Sequence, residues 1–373
     1  MGSGSGETMR VVICGGGVIG ACTAYFLMRH GIEVVVVERA EVAAAASGKA
    51  GGFLALDWCA GSPLDALARR SFHLHAELAR ELPGDWGHRP MSAYSGFVTP
   101  GRDISRHMPS ELDWLSDGVM IAGQIGTPDT TAIVHPRKFT AGMMAAAERL
   151  GAEVRRGRVT GVVRADGKAR GVEVDDSVID ADAVVIALGP WSLLAAGWMD
   201  LPVVFGQRSP SVVYDTGSDV PAHALFLEYR DEDESALTVE VFPRADGSTH
   251  VTAFSGQQPL PLDPAAITAE TDEIARLMAI CERLSPAFRE DRIIARQACF
   301  RPVTQDGLPL IGQVADSDGI YVATGHNVWG ILNAPATGEA LAALIAGQRP
   351  RVDLSPFDPT RLRPFDASLL RLE

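Results

Sequence analysis

One stretch, residues 11–38, constrains the fold of this chain more than any other: VVICGGGVIGACTAYFLMRHGIEVVVVE. It begins with a short apolar run typical of a buried parallel strand, and residues 15–20 that follow fit the pattern G-x-G-x-x-G. The sequence predicts a helix over Val18–Arg29 and a second strand over 33–37, which ends beside the acidic residue Glu38. Strand, glycine turn, helix, strand and acid in this order form the βαβ unit that binds dinucleotides.

Each of these residue types has a physical role in that unit. Gly15 permits the tight turn, Gly17 lets a pyrophosphate approach the backbone N–H groups at the positive end of the helix, and Gly20 lets helix and strand pack closely. Glu38 can accept hydrogen bonds from both adenosine ribose hydroxyls, whereas a 2′-phosphate would meet a like charge. NADP is therefore disfavoured, and FAD and NAD both stay open at this point.

Length and charge restrict the class of protein. The 373 residues suffice for two domains, and the formal charge of −14 argues against nucleic acid or an anionic membrane as partner. We find no apolar run of the roughly 18 residues that span a bilayer and no signal-peptide pattern, so we expect a soluble, cytoplasmic protein. Residues 1–8, rich in Gly and Ser, are interpreted as an added linker before a natural start at Met9.

The cysteines and histidines do not suggest a metal site. The five cysteines form no C-x-x-C pair, and we expect mostly buried free thiols: Cys14, Cys22, Cys59, Cys281 and Cys299. Residues 64–82 show helical periodicity, and His73 and His75, two apart, cannot share a helix face. We interpret both histidines as surface residues and predict no bound metal.

Three further glycine-containing segments are predicted to face the cofactor. Residues 46–52, ASGKAGG, would let backbone pass close to it, and Ser47 and Lys49 could supply a hydroxyl and a cation for its phosphates. The alternative is a flexible loop. The buried strand before Gly189 and the strand before residues 325–330 both end in glycine turns, and a helix is predicted to begin at Asn333.

Other parts of the chain have a different pattern. Residues 201–252 alternate as strands separated by charged or Gly-containing turns, which predicts an antiparallel sheet, and a helix is predicted to follow over 267–284. We therefore predict two interleaved domains: a nucleotide-binding domain of residues 9–82, 131–200 and 290–350, and a substrate domain of residues 83–130 and 201–289.

Together these motifs resemble the D-amino-acid oxidase family of FAD-dependent enzymes, which includes glycine oxidase and sarcosine oxidase. The resemblance runs from Met9 to about Gln348 and rests on VVICGGGVIG with Glu38, ASGKAGG, IALGPWS, CFRPVTQDGLPLIG and YVATGHNVWGILNAPATG. It implies FAD rather than NAD. It also implies an α/β fold with a Rossmann-like FAD-binding domain of the glutathione-reductase type and an interleaved α+β substrate domain built on an antiparallel sheet.

The cofactor contacts follow from these motifs and this resemblance. The predicted FAD-binding residues are Gly15, Gly17, Val18, Ile19, Gly20, Glu38, Arg39, Ser47, Lys49, Ala50, Gly51, Gly52, Val159, Gly189, Trp191, Cys299, Gly325, Asn327, Val328, Gly330, Ile331 and Leu332. Cys299 falls where sarcosine oxidase links its flavin covalently, and the cation of Arg301 could activate its thiol. The alternatives are a covalent bond to Cys299 and, as we expect, FAD bound without one.

Four residues are candidates for the substrate pocket: Arg301, Tyr229, His326 and Trp329. Arg301 matches the arginine that holds the substrate carboxylate in glycine and D-amino-acid oxidases, where a guanidinium fork binds a carboxylate in bidentate geometry. The alternative is a surface arginine in a salt bridge. Val328 replaces a second arginine of glycine oxidase, which suggests a larger or less acidic substrate. We assign no proton transfer to Tyr229 or His326.

The resemblance implies an oxidoreductase that acts on the C–N bond of a primary or secondary amine, such as an amino acid or N-substituted amino acid. A hydride would pass to flavin N5, giving an imine and, with oxygen, hydrogen peroxide. One alternative is a dehydrogenase with another electron acceptor. The other is an FAD-binding regulatory or trafficking protein without turnover.

Overall fold

The computed structural model describes residues 8–98, 110–230 and 236–369. The strands, in chain order, are β1 (Arg10–Cys14), β2 (Glu33–Glu38), β3 (Phe53–Ala55), β4 (Arg89–Pro90), β5 (Ser92–Val98), β6 (Val119–Gly126), β7 (Thr131–Ile133), β8 (Glu153–Arg156), β9 (Val159–Ala165), β10 (Lys168–Val174), β11 (Ser177–Asp180), β12 (Ala183–Ile186), β13 (Val204–Asp215), β14 (His223–Arg230), β15 (Ala236–Pro243), β16 (Ser248–Thr252), β17 (Gly256–Gln257), β18 (Ile293–Thr304), β19 (Leu310–Gln313) and β20 (Ile320–Thr324).

The α-helices are α1 (Val18–Arg29), α2 (Ala46–Lys49), α3 (Asp65–Glu81), α4 (Pro136–Arg149), α5 (Thr271–Leu284) and α6 (Gly330–Ile345). Short 3₁₀ helices cover Ser110–Leu112, Gly189–Gly197, Pro264–Ala266, Glu290–Arg292, Asn327–Trp329, Ser355–Phe357, Pro359–Arg361 and Ala367–Leu369.

The nucleotide-binding half is a six-stranded sheet in the order β19-β20-β12-β1-β2-β8. Its pairs are parallel except β19 with β20, and Val12 on β1 lies between Val35 of β2 and Val184 of β12. Buried valines and isoleucines fill these strands because both faces of a parallel sheet are covered. The predicted α/β class with a Rossmann-like parallel sheet is confirmed.

Helix α1 follows β1 and lies against the C-terminal helix α6. This contact is close because Gly338 of α6 has no side chain: a Cβ there would lie 2.6 Å from the backbone carbon of Cys22. Helices α3 and α4 complete the same layer, and together the four helices bury one apolar core with the sheet.

All five cysteines are buried and free, so the expectation for their thiols is confirmed.

The second half is built on an eight-stranded sheet with the order β17-β13-β16-β15-β14-β5-β6, in which β18 also pairs with β13. Most pairs are antiparallel, as predicted, but β5 and β14 run parallel. Helix α5 covers one face with an apolar stripe that includes Leu277 and Cys281. The other face is turned toward the nucleotide-binding half and forms the floor of the cavity described below. Two three-stranded sheets complete the fold, β11-β10-β9 and β3-β7-β4.

The fold differs from the sequence prediction at β18 and at His75. The sequence placed residues 290–350 with the nucleotide-binding fold, but β18 pairs along its length with β13 in the other sheet. His75 is fully buried, and its Nε2 lies 3.0 Å from the Ile331 carbonyl oxygen, so its assignment to the surface was wrong; His73 is exposed. Periodicity placed His75 on a helix, but it could not show that α6 covers that face.

One helical stretch of the described chain is long and apolar enough to cross a membrane by length and composition, Asn327–Ile345. The sequence prediction includes no such run. Within the fold, 67% of this window is buried by other parts of the protein. This is the burial expected of a core helix, and we infer no membrane association from it.

Candidate cofactor and substrate site

The turn after β1 has a conformation that only glycine adopts easily. Gly15 has a φ of 113°, and its N–H donates to the carbonyl oxygen of Val37 over 2.8 Å. A Cβ at Gly15 would lie 2.4 Å from the Ala187 carbonyl oxygen, and one at Gly20 would lie 2.0 Å from the Gly15 carbonyl oxygen. The turn is thus held against β2 and the end of β12, with the start of α1 above it.

Two polar side chains converge on this turn. The Glu38 carboxylate accepts hydrogen bonds from the N–H of Gly16 at 2.7 Å and from the N–H of Ala40 at 2.8 Å. The Ser47 hydroxyl oxygen accepts one from the N–H of Val18, in the first turn of α1, at 2.9 Å. A carboxylate and a hydroxyl therefore lie side by side at the positive end of a helix.

A cavity of 420 Å³ begins at this turn and extends between the two sheets to β18. Most of the residues predicted to bind the cofactor or substrate line it: Gly15, Gly17, Val18, Ile19, Glu38, Arg39, Ser47, Lys49, Ala50, Gly51, Gly52, Val159, Gly189, Trp191, Cys299, Arg301, His326, Asn327, Val328, Trp329, Gly330 and Ile331. Segments far apart in sequence thus form one continuous wall.

Four predicted residues do not line the cavity. Gly20 lies in α1 and Leu332 is buried in α6, and neither contacts the cavity. Gly325 has a φ of 81° and contributes only the backbone turn that follows β20. Tyr229 lies on the opposite face of the large sheet, in the core under α5, where its hydroxyl accepts a hydrogen bond from Arg283. The prediction of Tyr229 as a pocket residue was therefore wrong, because strand alternation turns it away from the cavity.

The floor of the cavity is the inward face of the large sheet. One row of facing residues runs across five adjacent strands in the order Cys299, Ser209, Thr252, Glu240 and Phe226. Side chains that point the same way on neighbouring strands form such rows because the strand repeat is two residues. The row changes from polar at β18 to aromatic at β14.

Arg301 lies on β18 two residues beyond Cys299, on the same face. One of its terminal nitrogens donates to the Gln207 side-chain oxygen over 3.3 Å, and its Nε is buried without a hydrogen-bond partner in the described residues. No ion pair to Arg301 is found within residues 8–98, 110–230 and 236–369, which does not fit the alternative of a surface salt bridge. A guanidinium in a cavity with free donors is suited to an anionic ligand.

Cys299 and Lys49 lie next to each other at the β18 end. Burial raises the pKa of the Cys299 thiol, against the opposing effect of the cations of Arg301 and Lys49. The Lys49 ammonium donates to the Ala298 carbonyl oxygen over 3.0 Å, and burial lowers its pKa. Lys49 was predicted as a cation for phosphates; the structure instead directs it to β18.

His326 and Trp329 lie where the chain enters α6. His326 is buried, its Nε2 lies 3.0 Å from the Thr337 hydroxyl, and burial lowers its pKa to about 3, so the ring is neutral at ordinary pH. Helix α6 begins at Gly330, three residues before the predicted start at Asn333. Its first N–H groups therefore lie in the cavity wall, where they present the positive end of a 16-residue helix.

The residues present fit FAD. Glu38 lies where it would meet the adenosine ribose, the N-terminal turn of α1 with Ser47 would hold the diphosphate, and the part of the cavity near β18 would hold the isoalloxazine. The Asn327 side-chain oxygen is buried without a partner among the described residues, as expected of an acceptor reserved for a ligand. The start of α6 supplies a positive partner for negative charge on the ring.

Sequence analysis missed a group of cavity residues on the large sheet and on β3 with its following loop: Phe53, Trp58, Phe226, Glu240, Phe242 and His250. Strand alternation is the signal that could have found those on β14 and β15, because Phe226, Glu240 and Phe242 share one face. It also missed Arg244, which is buried and donates to the Ala50 carbonyl oxygen over 2.8 Å. Within the described residues, no cluster of His, Cys, Asp and Glu is arranged to hold a metal ion.

Comparison with known proteins agrees with this geometry. The family model described as FAD dependent oxidoreductase (DAO) matches residues 10–344. An oxidoreductase of Schizosaccharomyces pombe, named without a substrate, is 27% identical over 91% of this chain and 94% of its own length. Glycine oxidase of Pseudomonas putida is 26% identical over 94% of this chain and 98% of its own. The crystal structure of glycine oxidase from Geobacillus kaustophilus superposes with a TM-score of 0.79 at 25% identity and covers 95% of this chain and 99% of its own.

Proposed function

Because this chain belongs to the DAO family of FAD-dependent oxidoreductases, we propose that it oxidises the C–N bond of an amino acid or N-substituted amino acid. The proposal makes a primary or secondary amine the reacting group and a carboxylate the anchoring group. It also makes oxygen the final electron acceptor, with hydrogen peroxide as its product.

The observation that carries this proposal is the position of Arg301. Its guanidinium lines the cavity, has donors free for a ligand, and lies on the strand that carries Cys299. A planar guanidinium fixes a carboxylate by two parallel hydrogen bonds, which sets the orientation of the attached α-carbon. Relatives named as glycine oxidases support an amino-acid substrate.

When bound, FAD would supply the two-electron chemistry by accepting a hydride from the α-carbon, and water would then hydrolyse the imine product. The protein's own part is to bind and orient. The start of α6 would place a fixed positive potential near the ring without reorganisation. The neutral His326 is held by Thr337 and is not assigned a proton transfer.

The test is a screen of amino acids and N-methylamino acids with the FAD-loaded protein, read as anaerobic bleaching of the flavin and, in air, as peroxide. Arg301→Lys should raise KM for the active substrate at least tenfold, because lysine offers no planar fork. Arg149→Lys, at an exposed position at the end of α4, is the matched control. Bleaching without peroxide would indicate a dehydrogenase, and no bleaching by any amine would contradict the proposal.

A further inference from the structure

Four aromatic rings form one wall of the cavity, at the end of the floor opposite Cys299. Phe53 lies 5.0 Å from Trp58, 5.2 Å from Phe226 and 5.5 Å from Phe242, measured between ring centroids. Trp58 and Phe226 are 4.8 Å apart. All four line the cavity, and three of them are only partly buried, so their free faces are available to a ligand. We call these four residues the aromatic wall.

The carboxylate of Glu240 lies in this apolar region. Glu240 is directly opposite Phe226 on β14 and two residues before Phe242, so its side chain shares the inward face with both. It makes no hydrogen bond or ion pair to any residue that the structure describes. A carboxylate that faces a cavity without a partner is unfavourable unless a bound group supplies a cation or donors.

The charge near Glu240 completes the pattern. Burial raises the pKa of the Glu240 carboxyl, and the positive charge of Arg301 opposes this shift. A basic group and an acidic group therefore face one space, with the aromatic wall beside the acid. This arrangement is complementary to a ligand that carries a carboxylate, a nitrogen and a large apolar group on neighbouring atoms.

We propose that the substrate is an α-amino acid with a large aromatic or branched apolar side chain, whose nitrogen faces Glu240 and whose side chain packs on the aromatic wall. The inference rests on the proposed function, in which Arg301 holds the carboxylate. It distinguishes this chain from an enzyme for glycine, because glycine would leave the wall of Phe53, Trp58, Phe226 and Phe242 without a contact.

Binding can be separated from turnover with ligands that cannot be oxidised. Acetate carries only the carboxylate, 3-phenylpropanoate adds the ring, and α-methylphenylalanine adds the nitrogen but has no α-hydrogen to lose. Calorimetry on the FAD-loaded protein, with both enantiomers of the last ligand, should give at least a tenfold lower Kd for 3-phenylpropanoate than for acetate. Equal Kd values for these two carboxylates would overturn the side-chain pocket.

Two variants test which residues contact the side chain and the nitrogen of the ligand. Trp58→Leu should remove most of the advantage of 3-phenylpropanoate over acetate and leave acetate binding unchanged. Glu240→Gln should weaken the binding of α-methylphenylalanine at least tenfold. It should leave the binding of 3-phenylpropanoate unchanged or make it tighter, since that ligand has no nitrogen to contact residue 240. Glu148→Gln, at an exposed position near the end of α4, is the matched control. If Glu240→Gln weakened both ligands equally, its role would be structural and the inference would fail.

Turnover measurements with different amino acids test the inference separately from the proposed function on which it rests. If phenylalanine or leucine bleaches the flavin with a higher kcat/KM than glycine or sarcosine, both the inference and the proposed function are supported. If glycine or sarcosine is oxidised and the large amino acids are not, the inference is wrong and the function stands. If α-methylphenylalanine binds as expected and no amino acid bleaches the flavin, the pocket stands and the proposed oxidation fails.

Discussion

The Arg244 guanidinium donates to the Ala50 carbonyl oxygen over 2.8 Å and joins the large sheet to the glycine loop of the cavity. Arg244 follows directly after β15 and is buried, and burial lowers its pKa to about 10. The loop it holds contains Gly51, where a Cβ would lie 2.3 Å from Phe242. The position of this loop is thus set by the sheet that carries Glu240 and the aromatic wall.

Replacement of Arg244 should therefore loosen the cofactor cavity. Arg244→Met keeps most of the side-chain volume but removes the charged hydrogen bond, which contributes about 1.5–3 kcal/mol in such settings. We expect a fall of that size in the free energy of unfolding in urea, together with weaker FAD binding in a fluorescence titration. Arg149→Met, at an exposed position, should change the free energy of unfolding by less than about 0.5 kcal/mol. Equal effects in the two variants would contradict this role.

The flavin should be held without a covalent bond to Cys299. A thiolate is the reactive form, and burial raises the pKa of the Cys299 thiol. After precipitation of the protein with acid, we expect the yellow colour to remain in the supernatant. Cys59→Ala is the control, since Cys59 is a buried free cysteine outside the cavity. A coloured pellet from the native chain that becomes colourless in Cys299→Ala would show the opposite.

Acid should destabilise the fold through His75. Burial lowers the pKa of His75 from 6.5 to about 3, so below pH 6.5 the unfolded chain binds a proton that the folded chain does not. The free energy of unfolding therefore falls as pH drops from 6.5 toward 3, by about 2 kcal/mol at pH 5 from this one group. Urea unfolding at pH 7 and pH 5 measures the change.

The matched pair His75→Gln and His73→Gln isolates the contribution of His75 to this pH dependence, because the two histidines lie on one helix and only His75 is buried. His75→Gln should lower stability at pH 7 and reduce the difference between pH 7 and pH 5. His73→Gln should leave that difference as it is in the native chain. An unchanged difference in His75→Gln would mean that other groups produce the acid sensitivity.

The contact between α1 and α6 should not tolerate an added methyl group. In Gly338→Ala the new Cβ would lie 2.6 Å from the backbone carbon of Cys22 and 2.8 Å from the nitrogen of Thr23. Because backbone atoms must move, we expect a loss of about 2–3 kcal/mol in the free energy of unfolding. Gly123→Ala on β6 is the control, since no atom lies within 4 Å of its Cβ position. A loss of similar size in both would contradict the packing explanation, because Gly→Ala at a site with free space is expected to lower the entropy of the unfolded chain and not to destabilise.

The first βαβ unit could be predicted from sequence because its determinants are local. The glycine turn, the helix Val18–Arg29 and Glu38 are adjacent along the chain, and the structure has the helix over the same residues. The later glycine segments were also placed in the cavity wall, through their motifs.

The substrate side of the cavity could not be predicted in the same way, because it depends on register between distant strands. Tyr229 was selected because it ends a predicted strand of the substrate domain, whereas Phe226, three residues earlier, is the one that faces the cavity. Glu240 has no motif and acquires its role only when β15 pairs with β14. His75 was misplaced for a similar reason, since residues 256 positions later bury it.

The order of the six-stranded sheet has a consequence for how this protein is made. Strand β1 is translated long before β20 and α6, which complete the sheet and the cavity wall. A ribosome-bound chain cannot enclose the cofactor until residues 320–345 have been made. Flavin capture must therefore follow the synthesis of α6, and shortened products that end before α6 should accumulate without their chromophore.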